Sequence, residues 1–178
     1  MKLYISVFIL LLTHHSFDEP KIIWNDYPVL DFYNFKGEVD EKSIYSATSY
    51  IGFYYGLNNN VGYAIGYFDC NKSWIKTKDS LLLIHEQGHF DLSEVCVRQW
   101  RKELGEHFFN SSQLKIELDS IYNNFLVKWD SIDNIYEQET DYSKNKEKQL
   151  KWSKKISEWL VELDEYKEPY VDVNFKDK

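Results

Sequence analysis

The sequence predicts a single α+β domain: a small N-terminal antiparallel sheet, then a helix carrying the pattern HExxH, then two further long helices. Two runs rich in aromatic and β-branched residues, 45–56 and 61–68, flank Leu57-Asn58-Asn59-Asn60, and asparagines suit turn positions that need positive φ. Residues 80–99 hold apolar side chains at the spacing of one helix, and His85-Glu86-Gln87-Gly88-His89 lies inside it. Strands followed by helices, rather than strict alternation, are the mark of the α+β class.

Each element has a local reason. Met1-Lys2 followed by about ten mostly apolar residues has the proportions of a secretory signal peptide, whereas a spanning helix needs about 20. The expected division is therefore a signal at 1–16 and one domain over 20–178, with His14 and His15 outside any metal site. Residues 20–42 read as irregular or short extended pieces. Glycines 52, 56, 62 and 66 within the hairpin point to bulges or to a sheet lying close to another backbone. A loop through 69–79 leads to the motif helix, with Asp79 or Ser80 as its N-cap. Leu114, Leu118, Ile121, Tyr122, Phe125, Trp129, Ile132 and Tyr136 recur at helical spacing behind Ser111 or Ser112. A third helix carries Trp152, Ile156, Trp159, Leu160 and Leu163 and ends before Pro169, with a polar connector at 138–148.

Composition narrows the function. A length of 178 residues supports one domain with a substantial core. The net charge of -8, with no compensating basic stripe, excludes nucleic acid as the expected partner, because phosphate binding needs a basic surface. Fourteen tyrosines exceed what a core requires, and such side chains often line clefts that are apolar at one end and wet at the other. Cys70 and Cys96 allow one disulfide pairing, two independent buried thiols, or metal ligation. Cys96 sits eleven residues after His85, roughly 20° around the helix, and so faces the same buried side.

The motif carries the chemistry. Residues four apart share a helix face, so His85 and His89 can both offer a ring nitrogen to one metal ion, and Glu86 beside them can take a proton from metal-bound water. Leu81, Leu82, Leu83 and Ile84 lead the helix into the core where the histidines appear, and buried imidazoles need partners. Gly88 inside the helix costs about 1 kcal/mol relative to alanine and implies a close neighbour on that side. A catalytic zinc site needs a third protein ligand. Six residues after the second histidine stands Val95, so that common spacing fails, and His107 lies about 27 Å along a straight helix from His89. The remaining candidates are the carboxylates Glu117, Glu139 and Asp141. Asp91 and Glu94, off the histidine face, are expected to anchor the helix through Arg98 or Trp74, or to orient a ligand.

The segment HEQGHFDLSE followed by Arg98 closely resembles the HEQGHFDI signature of a bacterial family of predicted secreted zinc-dependent proteases. Trp24-Asn25-Asp26-Tyr27 resembles that family's W-x-D-F element. Phe35-Lys36-Gly37, Ser46-Ala47-Thr48 and Ser73-Trp74-Ile75 follow in similar places. Tyr136-Glu137-Gln138-Glu139-Thr140-Asp141-Tyr142-Ser143, then Gln149 and Trp152, resembles a Y-D-x-x-T-x-H-G run ending in Q-x-x-W. The likeness spans about residue 24 to about 163. Two positions depart from the pattern: Tyr142 stands where the family has histidine, and Glu137 where it has aspartate. The resemblance implies a zincin-like fold and an exported enzyme that binds Zn²⁺ and hydrolyses peptide bonds in peptide or protein substrates. His85 and His89 would be metal ligands, and Glu86 the general base. Through the family register Tyr142 becomes the first candidate for third ligand, or a hydroxyl that stabilises the oxyanion. No stable membrane span is expected after signal removal. Two alternatives stand beside this reading. One is a catalytically weak zinc-binding or substrate-binding protein on a zincin scaffold. The other is an interaction protein whose histidine face is only core.

Overall fold

The structure, a computed structural model, describes residues 21–176, so the expected signal at 1–16 lies outside the described residues. In chain order the elements are β1 (Lys21–Ile23), β2 (Ala47–Thr48), β3 (Ile51–Asn58), β4 (Val61–Asp69), β5 (Trp74–Ile75), α1 (Ser80–Glu106), β6 (Phe108–Phe109), α2 (Leu114–Thr140), α3 (Lys146–Glu162), β7 (Tyr170–Asp172) and β8 (Asn174–Phe175). The fold is mixed α+β. Strands β3 and β4 form the expected hairpin, paired without a break from Ile51↔Phe68 to Asn58↔Val61, and Asn59 supplies the left-handed turn residue at φ 54°. The other edge of β4 is shared: β1 pairs antiparallel along Tyr67 to Asp69, and β7 along Val61 to Tyr63. Two short ladders complete the set, β2 with β5 antiparallel and β6 with β8 parallel.

The hairpin glycines mark close packing, not bulges. A Cβ on Gly52 would lie 2.3 Å from the Tyr67 ring and one on Gly56 2.6 Å from Tyr63, the residues directly across the ladder. Each tyrosine therefore folds over a bare strand opposite it, which an alanine would prevent.

Helix α1 is the spine of the molecule. Asp79 caps it by accepting from Leu82 N, which settles the two candidate caps. It runs to Glu106, and Arg101 in its last turns is buried among polar partners. Its guanidinium donates to Glu94, to Ala64 O on β4, and to Tyr166 O and Lys167 O, while Arg98 Nε donates to the same Glu94 carboxylate. A buried carboxylate shared by two guanidiniums is stable only if every lone pair is used, so Glu94 anchors α1 as expected. Asp91 anchors it on another side through Trp24 Nε1 at 2.9 Å, not through Trp74. Gln87 accepts from Leu30 N and donates to Pro28 O, so two signature residues moor the N-terminal segment. Burial pushes the Asp91 carboxyl up to about 6 despite the hydrogen bonds from Trp24 and Gln87.

Three apolar clusters surround α1. One joins Ala64 of the sheet, Val97, Trp100 and Leu104 of α1, and Ile121 and Phe125 of α2. A second joins Leu92 and Val95 to Tyr136, Trp152 and Ile156, which docks α2 and α3 over the motif. The third gathers Leu30, Phe68, Cys70 and Phe90. Cys70 and Cys96 fall in different clusters and are both free buried thiols, so no disulfide forms. Burial pushes the Cys96 thiol up to about 12, leaving it a small hydrophobe. Helix α2 begins at Leu114 behind Gln113, with Ser112 instead held in a turn by Asn110. Among the described residues, no helix is long and apolar enough to cross a membrane.

Candidate metal centre

His85 and His89 lie one turn apart on the buried face of α1, 3% and 7% exposed, with their Nε2 atoms 3.2 Å apart. Helix α2 crosses this face and brings Glu137 against them. Its Oε2 is 3.1 Å from His85 Nε2 and its Oε1 is 3.5 Å from His89 Nε2. Among the described residues these three side chains form a group able to hold a metal ion, with all ligand atoms within 4.8 Å of one another. The spacing fits. Donors bound to one ion at about 2.0–2.1 Å in tetrahedral geometry sit about 3.3–3.4 Å apart; the two Nε2 atoms are 3.2 Å apart, and Glu137 reaches them with a different oxygen each, at 3.1 and 3.5 Å.

The surroundings fix each ring for this task. His89 Nδ1 is 2.6 Å from Asp133 Oδ1, and His85 Nδ1 is 3.1 Å from Gln149 Oε1. A ring that donates its Nδ1 proton to an oxygen acceptor turns the Nε2 lone pair toward the shared point, the arrangement that orients metal-bound histidines. A proton on the same nitrogens is held in the same way. Burial alone would push the His89 pKa down, but hydrogen bonds to Asp133 and Glu137 hold it up at about 10. Burial would likewise raise Glu137, yet the hydrogen bonds from His85 and His89 bring it down to about 2. The pocket is thus built to stabilise positive charge. Asp133→Asn should weaken metal binding by about 10- to 100-fold while leaving the fold intact, as measured by competition with a chromogenic chelator. Wild-type affinity in that variant would mean that Asp133 does not support the ligand.

Tyr136 explains Gly88. Its hydroxyl donates to His85 O at 2.8 Å and accepts from Gln149 Nε2 at 2.8 Å, and its ring stacks on His85 with centroids 4.9 Å apart. A Cβ on Gly88 would lie 2.0 Å from that hydroxyl, so the glycine lets α2 touch the α1 backbone. Gly88→Ala should therefore cost roughly 1–3 kcal/mol net despite its better helix propensity. That corresponds to a fall in Tm of about 2–12 °C, read by thermal denaturation. A raised Tm would sink this account.

Glu86 points elsewhere. Ser49 Oγ, in the loop after β2, donates to its Oε2 at 2.6 Å, fixing the carboxylate beside the cluster and leaving the other oxygen to accept a proton. An open cleft crosses the site in two lobes that share Tyr45, Ala47, Glu86 and Glu137. The lobe beside His85, about 370 Å³, is walled by Ile44, Leu82, Asp141, Tyr142 and Lys144. The lobe beside His89, about 270 Å³, is walled by Thr48, Ser49, Ile51, Trp129 and Asp133.

The carboxylate that stands against the histidines is Glu137, not the expected Glu139, Asp141 or Glu117. Glu139 instead accepts from Trp152 Nε1 at 2.9 Å. Glu117 pairs with His107 Nε2 at 2.9 Å beyond the end of α1. Asp141 caps α2 in the left-handed conformation at φ 48° and lines the cleft. Tyr142 also lines the cleft, 45% exposed, with its ring 6.0 Å from that of Tyr45. Asp141, Tyr142 and Ser143 all have positive φ, a run that costs about 1–3 kcal/mol per residue unless the surroundings enforce it. Comparison of the chain with protein-family models, with curated proteins and with solved structures found no match. One signal in the chain does mark Glu137: it stands at the acidic position of the run Tyr136 to Ser143, one turn after Asp133 and one before Asp141 on the same helix.

Proposed function

We propose that this protein is an exported zinc-dependent endopeptidase with a zincin-like site, acting on peptide or protein substrates. The observation that carries the reading is the convergence of His85, His89 and Glu137 beside Glu86 at the floor of an open cleft. Two histidines and a glutamate are a catalytic zinc set, which leaves a fourth position for water or substrate. Bound there, zinc supplies a water acidic near pH 7 and a Lewis acid for the scissile carbonyl. The protein supplies the rest. Glu86, held by Ser49, accepts the proton of the attacking water and delivers it to the leaving amine. Tyr142, at the cleft wall, is the proposed hydroxyl donor to the oxyanion. Asp133 and Gln149 keep the two rings aligned.

Export rests on the apolar N-terminal segment. The test is direct. The purified protein should bind one zinc per chain and cleave a fluorogenic peptide library, with both properties removed by a chelator and restored by zinc. Absence of a transition metal after reconstitution would end the proposal. Stoichiometric zinc with no cleavage at any pH would favour the alternative of a zinc-binding or substrate-binding protein on this scaffold.

A further inference from the structure

The two lobes of the cleft differ in chemistry. The lobe beside His89 presents Thr48, Ser49 and Asp133 with Trp129 and Ile51, a largely polar wall. The lobe beside His85 adds Ile44, Leu82 and Tyr142 to the Tyr45 and Ala47 that line both lobes, within reach of Glu86 and Glu137. Ile44 is 90% exposed and Tyr45 48%, so apolar surface is left open next to the reacting group. The Tyr45 and Tyr142 rings touch, with centroids 6.0 Å apart and planes tilted by 43°, so together they form one aromatic wall of this lobe.

Tyr142 is not there by accident of a loose loop. Its backbone N–H donates to Glu137 O at 3.0 Å, and Asn145 N donates to Thr140 O at 2.8 Å, closing a tight turn at the end of α2. That turn holds three consecutive non-glycine residues in the left-handed region. Strain of this kind is kept where a side chain must stand in one place. The same turn that follows Glu137 therefore sets Tyr142 over the lobe. Charge adds selectivity, since Glu86, Glu137 and Asp141 line this lobe against the single cation Lys144 and disfavour an acidic side chain.

We infer that the lobe beside His85 is an apolar subsite that seats an aromatic or large aliphatic side chain of the substrate adjacent to the scissile bond, with Tyr45 and Tyr142 as its specificity-determining walls. The inference rests on the peptidase reading and deepens it. An apolar pocket that loses its occupant typically forfeits about 10- to 100-fold in kcat/KM.

The experiment compares paired fluorogenic peptides that differ only next to the cleaved bond. Wild-type protein should cleave peptides with Phe, Tyr or Leu there at least about 10-fold better than those with Ala or Asp. Tyr45→Ala should collapse the Phe-to-Ala ratio toward one mainly through KM, and Tyr142→Ala should collapse the same ratio on top of a rate loss shared by both peptides, with zinc content unchanged in each. Tyr142→Phe should keep the ratio even where the absolute rate falls, because the ring remains and only the hydroxyl is lost. As a second readout, labelled Phe and Ala peptides are titrated onto Glu86→Gln protein by fluorescence anisotropy, and the Phe peptide should bind at least about 10-fold tighter. Cleavage without such a preference, or a ratio that survives both alanine variants, overturns the subsite while leaving the peptidase standing. If nothing is cleaved, the peptidase reading falls, and equal binding of the two peptides overturns the subsite as well.

Discussion

Glu86→Gln should retain one zinc per chain and lose peptide hydrolysis by about 10²- to 10⁴-fold, the usual worth of a positioned general base. The glutamine is nearly isosteric, so the hydrogen bond from Ser49 at 2.6 Å has an oxygen left to accept it and the cleft keeps its shape. What disappears is the carboxylate that takes the proton. Glu86 lies between the histidines in sequence but outside the group that can hold the metal, so zinc affinity should change little. Elemental analysis and single-turnover kinetics on the same preparation separate the two effects. A variant that turns over at the parental rate would remove Glu86 from the mechanism, and one that loses zinc would make it a ligand or a structural support.

The parts of this site that sequence reveals are those set within one helix. Asp79, the two histidines and Glu86 stand at fixed intervals at the start of α1, so the cap, the paired imidazoles and the carboxylate beside them follow from local geometry. The hairpin is legible for the same reason, because its alternation and its asparagine turn are local. Glu137 is different. Along the chain its mark is faint, an acid one turn after Asp133 on the same helix. Its role arises only where Tyr136, Trp152 and Leu92 pack α2 across the motif and Gly88 lets the two backbones close. The last turns of α1 are held by a similar effect. Arg101 looks like surface, yet its buried bonds to Glu94 and three carbonyls carry the helix onward. Strands β2, β5, β6, β7 and β8 are two or three residues long, too short for a period of two to register. Of the two expectations for Gly52 and Gly56, bulges or close approach, close approach is found, but by tyrosines folded over the bare backbone, a cross-strand fit invisible in either strand alone.

Glu137→Ala should abolish tight metal binding, lowering affinity by more than the 10- to 100-fold expected for an outer partner such as Asp133. Two histidines alone leave a divalent ion short of the three protein ligands of a catalytic site, and the carboxylate that balances its charge is gone. The loss has a thermal signature. At free zinc about 100-fold above the dissociation constant, the wild type should gain about 2.7 kcal/mol, or roughly 5–11 °C in Tm for a chain of this size. The variant should show no such gain. Parallel variants make the assignment specific: Glu139 bonds Trp152 and Glu117 bonds His107, so alanine at either position should leave the zinc-dependent shift intact. Tyr142→Phe should also keep it, since removing a wall hydroxyl takes nothing from the three ligands. If instead Glu137→Ala binds zinc as the wild type does and Tyr142→Phe does not, the phenol is the third ligand and α2 serves only to frame the site.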